Sequence, residues 1–271
     1  MRKRTFTIAA ALAAIGISST HHAAAQATDK IGVLMMHGKN PGSSNDPNFR
    51  SVLFRLQREG MMVEMPDMPW SQRRYLDGNW DGVMQEMTGH VAALRNKGAT
   101  KIVLMGHSMG CPAALSYAGR MKDVHALVLF APGHAPRSYY NAPQLAAVRK
   151  SIDEAREMVA AGKGAEKGRF SDINQGRPLT VSMTAKDFLS YFDPESDADM
   201  GVTAPKVPAS IPVLTVLGDA DPLFKFARAY FHDKLPPNPK TKYLEVSANH
   251  LTTPAAATEA AIAWMKDAVA G

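Results

Sequence analysis

Short, nearly continuous apolar runs separated by stretches of helical spacing constrain this chain more than any other feature. Ile31-Gly-Val-Leu-Met-Met36, Ile102-Val-Leu-Met105, Val124-His-Ala-Leu-Val-Leu-Phe130 and Ile211-Pro-Val-Leu-Thr-Val-Leu217 lack polar alternation, as strands covered on both faces should. Met61 to Met65, ended by Pro66, and Lys242 to Val246 are weaker strands of the same kind. Between them, Phe49, Val52, Leu53 and Leu56, then Trp80, Met84, Met87, Val91 and Leu94, recur at helical spacing, with Gly60 and Gly98 as stops. Strands alternating with amphipathic helices imply a parallel sheet with right-handed crossovers. The expected fold class is α/β, a doubly wound, mainly parallel sheet of about six strands with helices on both faces.

The alternation lapses between Arg137 and Lys206. Leu145, Val148, Ile152, Met158 and Val159 could line a helix there, and Lys186-Asp-Phe-Leu-Ser-Tyr-Phe192 is an aromatic cluster. We read 137–206 as an insertion or lid, because insertions after such strands commonly shape substrate pockets. Phe188, Tyr191 and Phe192 are then candidate pocket residues, with the lid's own core as the competing role.

Residues 1–27 carry a different signature: Arg2-Lys3-Arg4, an apolar run from Phe6 to Ile17, then small residues up to Ala27. This is the pattern of a secretory signal, cleaved after Ala25 or, by preference, Ala27, with the arginines non-adjacent and so pointing to general secretion. The apolar run is shorter than the roughly 20 residues that cross a bilayer, so no stable membrane anchor is expected. The mature chain, 28–271, is expected to be one α/β domain in the periplasm or outside the cell. Removing the leader takes away three positive charges and no acid, which lowers the formal charge from +6 to +3. The remaining Lys and Arg are scattered, which disfavours nucleic-acid binding. Cys111, the single cysteine, cannot form an internal disulfide and reads as a small buried hydrophobe.

The residues just past the strand ends suggest chemistry. Lys101 to Met105 runs into Gly106-His-Ser-Met-Gly110 and leaves as a helix, so glycines on either side let the chain turn sharply and lift Ser108 clear of the strand end. Asp221 comes after the strand ending at Leu217, and His250 after the one ending at Val246. The C-terminal ends of parallel strands share one edge, so three residues far apart in sequence can converge. Serine is a poor nucleophile unless a base takes its proton, a carboxylate orients that base and N–H donors hold the oxyanion. The first strand empties into His37-Gly38-Lys39, a loop that can aim a backbone N–H toward Ser108. His134 also lies past a strand end and is the runner-up base. His107 reads as a packing residue. Trp70 and Tyr75 could wall the pocket or belong to the core.

These features together resemble the serine hydrolases of the α/β-hydrolase superfamily. His37-Gly38, Gly106-His-Ser-Met-Gly110, Gly218-Asp-Ala-Asp221 and the late His250 match that pattern in its order, over nearly the whole mature chain. The resemblance implies Ser108 as nucleophile, His250 as general base and acid, and Asp221 as its orienting partner. It further implies an oxyanion hole from the N–H groups of Met109 and Lys39, a turn shaped by His37, and no cofactor. The family's Gly-x-x-Asp spacing favours Asp221 over Asp219. By this resemblance 28–271 is an α/β-hydrolase domain, departing from the larger members in having no room for two strands before the His-Gly strand. The expected reaction is hydrolysis of a small-molecule carboxylic ester or thioester through an acyl-enzyme. Peptidase or carbon–carbon hydrolase activity fits the same triad, and a non-catalytic binding protein is the alternative from another class. Serine in place of aspartate disfavours the dehalogenase and epoxide-hydrolase branches. No His-Glu-x-x-His spacing occurs, so no metal is expected.

Overall fold

A computed structural model describes residues 30–39 and 41–270. The expected signal segment, 1–27, lies outside the described residues. The strands are β1 (Ile31–Met36), β2 (Met62–Glu64), β3 (Lys101–His107), β4 (Ala126–Phe130), β5 (Lys167–Asn174), β6 (Arg177–Thr184), β7 (Val213–Gly218) and β8 (Lys242–Val246). Six of them form one sheet in the order β2-β1-β3-β4-β7-β8, all neighbours parallel. The apolar runs of the sequence become the four central strands, and the two weaker ones become the edges. β2 and β8 are only partly buried, which explains their polar residues.

Side chains of each central strand alternate between two cores. Val33, Met35, Val103, Met105, Val128 and Phe130 face α1 (Pro47–Arg58) and α10 (Thr258–Val269). Leu34, Met36, Leu104, Leu127 and Leu129 face α2 (Trp80–Asn96) and α3 (Gly110–Met121). Helix α1 begins where Asp46 accepts the N–H of Asn48, with Pro47 in the first turn, and α2 begins where Asn79 accepts the N–H of Gly82. After β8, the short helix α9 (Thr253–Ala256) ends at Ala257, whose ψ of 7° leaves the helical range, before α10 starts. Helix α8 (Phe224–Tyr230) ends at Phe231, whose φ is −143°.

The stretch between β4 and β7 contains α4 (Pro136–Asn141), α5 (Ala146–Ala160), α6 (Ala185–Phe192) and α7 (Met200–Thr203). Between α5 and α6, β5 and β6 pair with each other as an antiparallel hairpin, separate from the main sheet. Sequence periodicity anticipates α5 and locates the aromatic cluster of α6; it does not anticipate the hairpin. Among the described residues no helix is long and apolar enough to cross a membrane.

Candidate active site

The sharp turn after β3 puts Ser108 in a left-handed backbone conformation, φ 52°, that non-glycine residues seldom adopt. Three backbone bonds hold it there: Ser108 N–H to the Phe130 carbonyl at 3.1 Å, and the N–H groups of Cys111 and Gly133 to the Ser108 carbonyl at 3.0 and 3.2 Å. The helix leaving this turn packs hard against β1. A methyl group on Gly110 would stand 2.2 Å from the carbonyl oxygen of Met36, so only glycine allows this approach.

Ser108 Oγ lies 2.9 Å from His250 Nε2, and His250 Nδ1 lies 2.7 Å from Asp221 Oδ2. A carboxylate only accepts, so neutral His250 carries its proton on Nδ1 and presents a lone pair on Nε2 to the serine hydroxyl. The Asp221 side chain has no exposed surface, and its other oxygen accepts the N–H of Leu223 at 2.9 Å. His250 sits on a loop tied by Asn249, whose side chain accepts the N–H groups of Leu251 and Thr252, both at 3.0 Å. Asp219 is engaged elsewhere. Its Oδ1 accepts the N–H of Ala248 at 3.1 Å and braces that loop.

His107 is more than a packing residue. Its ring lies 5.4 Å from that of His250, and its Nε2 donates to the His250 carbonyl at 2.9 Å, supporting the base from behind. Burial, and then proximity to His250, lowers its pKa to about 4. His134, the runner-up base, is not within this relay. Its Nε2 donates to the Tyr191 carbonyl at 2.7 Å, its ring packs on Tyr139 and Phe192, and burial with the Lys39 ammonium nearby lowers its pKa to about 3. The Cys111 thiol is fully buried and its pKa is raised by that burial, so it stays an inert thiol.

Gly38 abuts the serine: a Cβ there would lie 3.2 Å from Ser108 Cβ. The turn is built by His37, whose Nε2 accepts the N–H of Met68 at 3.0 Å, which leaves Nδ1 to donate to the Gly38 carbonyl at 2.7 Å. Trp70 Nε1 donates to the His37 carbonyl at 2.8 Å and its ring stacks on Trp80. Among the described residues, none of the backbone bonds around the turn uses the N–H of Met109 or of Lys39.

Of the expected pocket residues, His37, Trp70, Phe188, Tyr191 and Phe192 have no exposed surface and pack internally, whereas Tyr75 is partly exposed. Phe188 is stacked between Phe170 and Phe192, at 4.4 and 4.5 Å between ring centroids. Tyr75 and Phe192 lie beside Lys39, whose ammonium is 5.9 Å from the first ring and 5.7 Å from the second. That ammonium is held by Asp172 of β5, a residue that sequence reasoning overlooks. The available signal is slight: Phe170 and Asp172 share the inward face of a strand whose other residues are more exposed. No group of His, Cys, Asp and Glu that could hold a metal ion occurs among the described residues.

The fold is similar to that of several solved esterases and lipases. Est1E from Butyrivibrio proteoclasticus, with ferulic acid bound, is 18% identical over 90% of this chain and 91% of its own, at a TM-score of 0.61. A monoacylglycerol lipase from Paleococcus ferrophilus is 19% identical over 88% of this chain and 94% of its own, at 0.60. DcsB, in complex with a substrate analogue, is 17% identical over 90% and 92%, at 0.65. A comparison with curated proteins finds no match. The family model described as the alpha/beta hydrolase family matches residues 33–267, nearly all that the structure describes, and the chain belongs to that family.

Proposed function

We propose that the chain is a serine hydrolase that cleaves a small-molecule carboxylic ester or thioester, exported by its N-terminal segment to the periplasm or beyond. The observation that carries the reading is the continuous relay from Ser108 through His250 to Asp221, with contacts of 2.9 and 2.7 Å. That the similar folds include esterases and a lipase supports the class of bond. Ser108 Oγ attacks the carbonyl carbon while His250 Nε2 takes its proton, and Asp221 holds the resulting imidazolium. The oxyanion accepts hydrogen bonds from the N–H groups of Met109 and Lys39. Collapse expels the alcohol or thiol, which receives the proton from His250. Water, deprotonated by the same histidine, then attacks the acyl-enzyme and frees Ser108.

A fluorophosphonate probe on the purified mature protein tests this directly. Labelling should map to Ser108 and vanish in Ser108→Ala. A folded sample that takes no label would favour the non-catalytic alternative. Turnover of p-nitrophenyl esters of increasing acyl length then defines the acyl group.

A further inference from the structure

We propose that Asp172, on the inserted hairpin, is a positioning residue for the oxyanion loop, acting through its buried ion pair with Lys39. The inference rests on the reading of Ser108 as nucleophile and the Lys39 N–H as oxyanion donor.

Lys39 directly follows the glycine that touches Ser108, so any displacement of its backbone changes the distance from its N–H to the developing oxyanion. His37 anchors Gly38, and Lys39 lies beyond that anchor. The Lys39 carbonyl accepts the N–H of Gly42 at 3.2 Å, a bond internal to the same loop. The Lys39 side chain ties the residue to the rest of the molecule. Its ammonium donates to Asp172 Oδ1 at 2.8 Å, to Asp172 Oδ2 at 3.0 Å and to the Ile173 carbonyl at 3.0 Å. An ammonium has three donors, and all three are used. The carboxylate is equally engaged. Oδ1 also accepts the N–H of Ile173 at 2.6 Å, and Oδ2 accepts the Tyr75 hydroxyl. The Asp172 side chain has no exposed surface and that of Lys39 has 7%, so the pair is held in a low-dielectric setting where a mispaired charge is strongly disfavoured.

The geometry joins three segments distant in sequence: the loop after β1, the loop before α2 that carries Tyr75, and the hairpin. Asp172 is paired across 133 residues with a side chain whose own backbone borders the nucleophile. The hairpin thus contributes to the reaction without touching substrate, and the insertion completes the catalytic edge of the sheet.

The test compares Asp172→Asn, Tyr75→Phe, Lys39→Met and the double variant Lys39→Met/Asp172→Asn with the wild-type mature protein. Steady-state hydrolysis of a p-nitrophenyl ester, fluorophosphonate labelling and thermal melting are followed in parallel. A displaced oxyanion donor should lower kcat of Asp172→Asn by about 10- to 100-fold, with KM within about threefold of wild type. Tyr75→Phe, which removes one hydroxyl and keeps the fold, should lower kcat about three- to tenfold in the same way. Asp172→Asn added to Lys39→Met should cause no further loss of kcat, because the aspartate acts through the lysine. Wild-type kcat in Asp172→Asn, a loss confined to KM, or independent effects in the double variant would overturn the proposal. If Asp172→Asn fails to fold, unchanged kcat in Tyr75→Phe overturns it instead. Failure of wild type to label at Ser108 would defeat the underlying hydrolase reading, whereas normal labelling with an unaffected Asp172→Asn defeats only this inference.

Discussion

Asp221 and Asp219 stand two residues apart on the loop after β7 and have separable roles. In the proposed mechanism Asp221, bonded to His250 Nδ1, fixes the tautomer of the base, while Asp219 accepts the N–H of Ala248 and braces the backbone behind it. Asp221→Asn should therefore lower kcat by about 10⁴-fold, and Asp219→Asn by less than about tenfold. Equal losses, measured on one ester substrate, would reverse the assignment. Gly133 offers a second test at this scale. A methyl group there would stand 2.7 Å from Ser108 Oγ and 3.6 Å from His250 Cε1. Gly133→Ala should depress kcat by about 100-fold with little change in melting temperature, since the intrusion falls on the reacting atoms. A variant as active as wild type would show that the hydroxyl can move aside without consequence. The convergence of Ser108, Asp221 and His250 is legible in the sequence because each lies past an apolar run, and a parallel sheet gathers such ends by topology. The roles of His107 and Asp172 are not legible, because a side chain's partner across 143 or 133 residues is set by packing that spacing does not encode.

The hairpin is the element that sequence reading does not find. Its turn, Gln175-Gly176, has φ values of 51° and 75°, the paired positive angles of a two-residue hairpin connection. Its second strand begins with four exposed residues, Arg177 to Thr180, so the apolar alternation that marks a half-buried strand is missing there. What holds the hairpin down lies in another element: Phe188 of α6 is sandwiched between Phe170 of β5 and Phe192. Phe188→Ala should destabilise the protein by about 3–5 kcal/mol in urea unfolding, the usual range for deleting a fully buried phenylalanine. A change below about 1 kcal/mol would mean that the two flanking rings close the gap on their own.

Across the whole molecule, the strand order puts the loops after β1 and β3 side by side, at the point where the sheet changes winding direction and where α/β proteins place their ligands. A parallel sheet follows from alternating apolar runs alone, whereas the order of its strands requires the structure. Three buried histidines, His37, His107 and His134, have lowered pKa values, chiefly because burial disfavours the imidazolium. Each binds its proton more readily unfolded, near the ordinary 6.5, than folded, near 4 for His107 and 3 for His134. Their contribution is therefore complete above pH 6.5 and is lost as pH falls toward those lower values, by about 3 kcal/mol for His107. Melting temperature should decline steadily from pH 7 to 4, less steeply in His107→Asn; a flat profile would contradict the burial of neutral imidazoles. The insertion has a consequence of another kind. The chain leaves β4 and re-enters at β7, and these strands pair directly, from Leu127 with Val213 to Phe130 with Val216. Because the two strands run parallel, the chain leaves at one edge of the sheet, after Phe130, and returns at the opposite edge, before Val213, so the stretch between them is a crossover along the sheet. A replacement for this stretch must therefore be a complete crossover from one edge of the sheet to the other, not a loop grafted between adjacent strand ends, and it must bring an anion to meet Lys39.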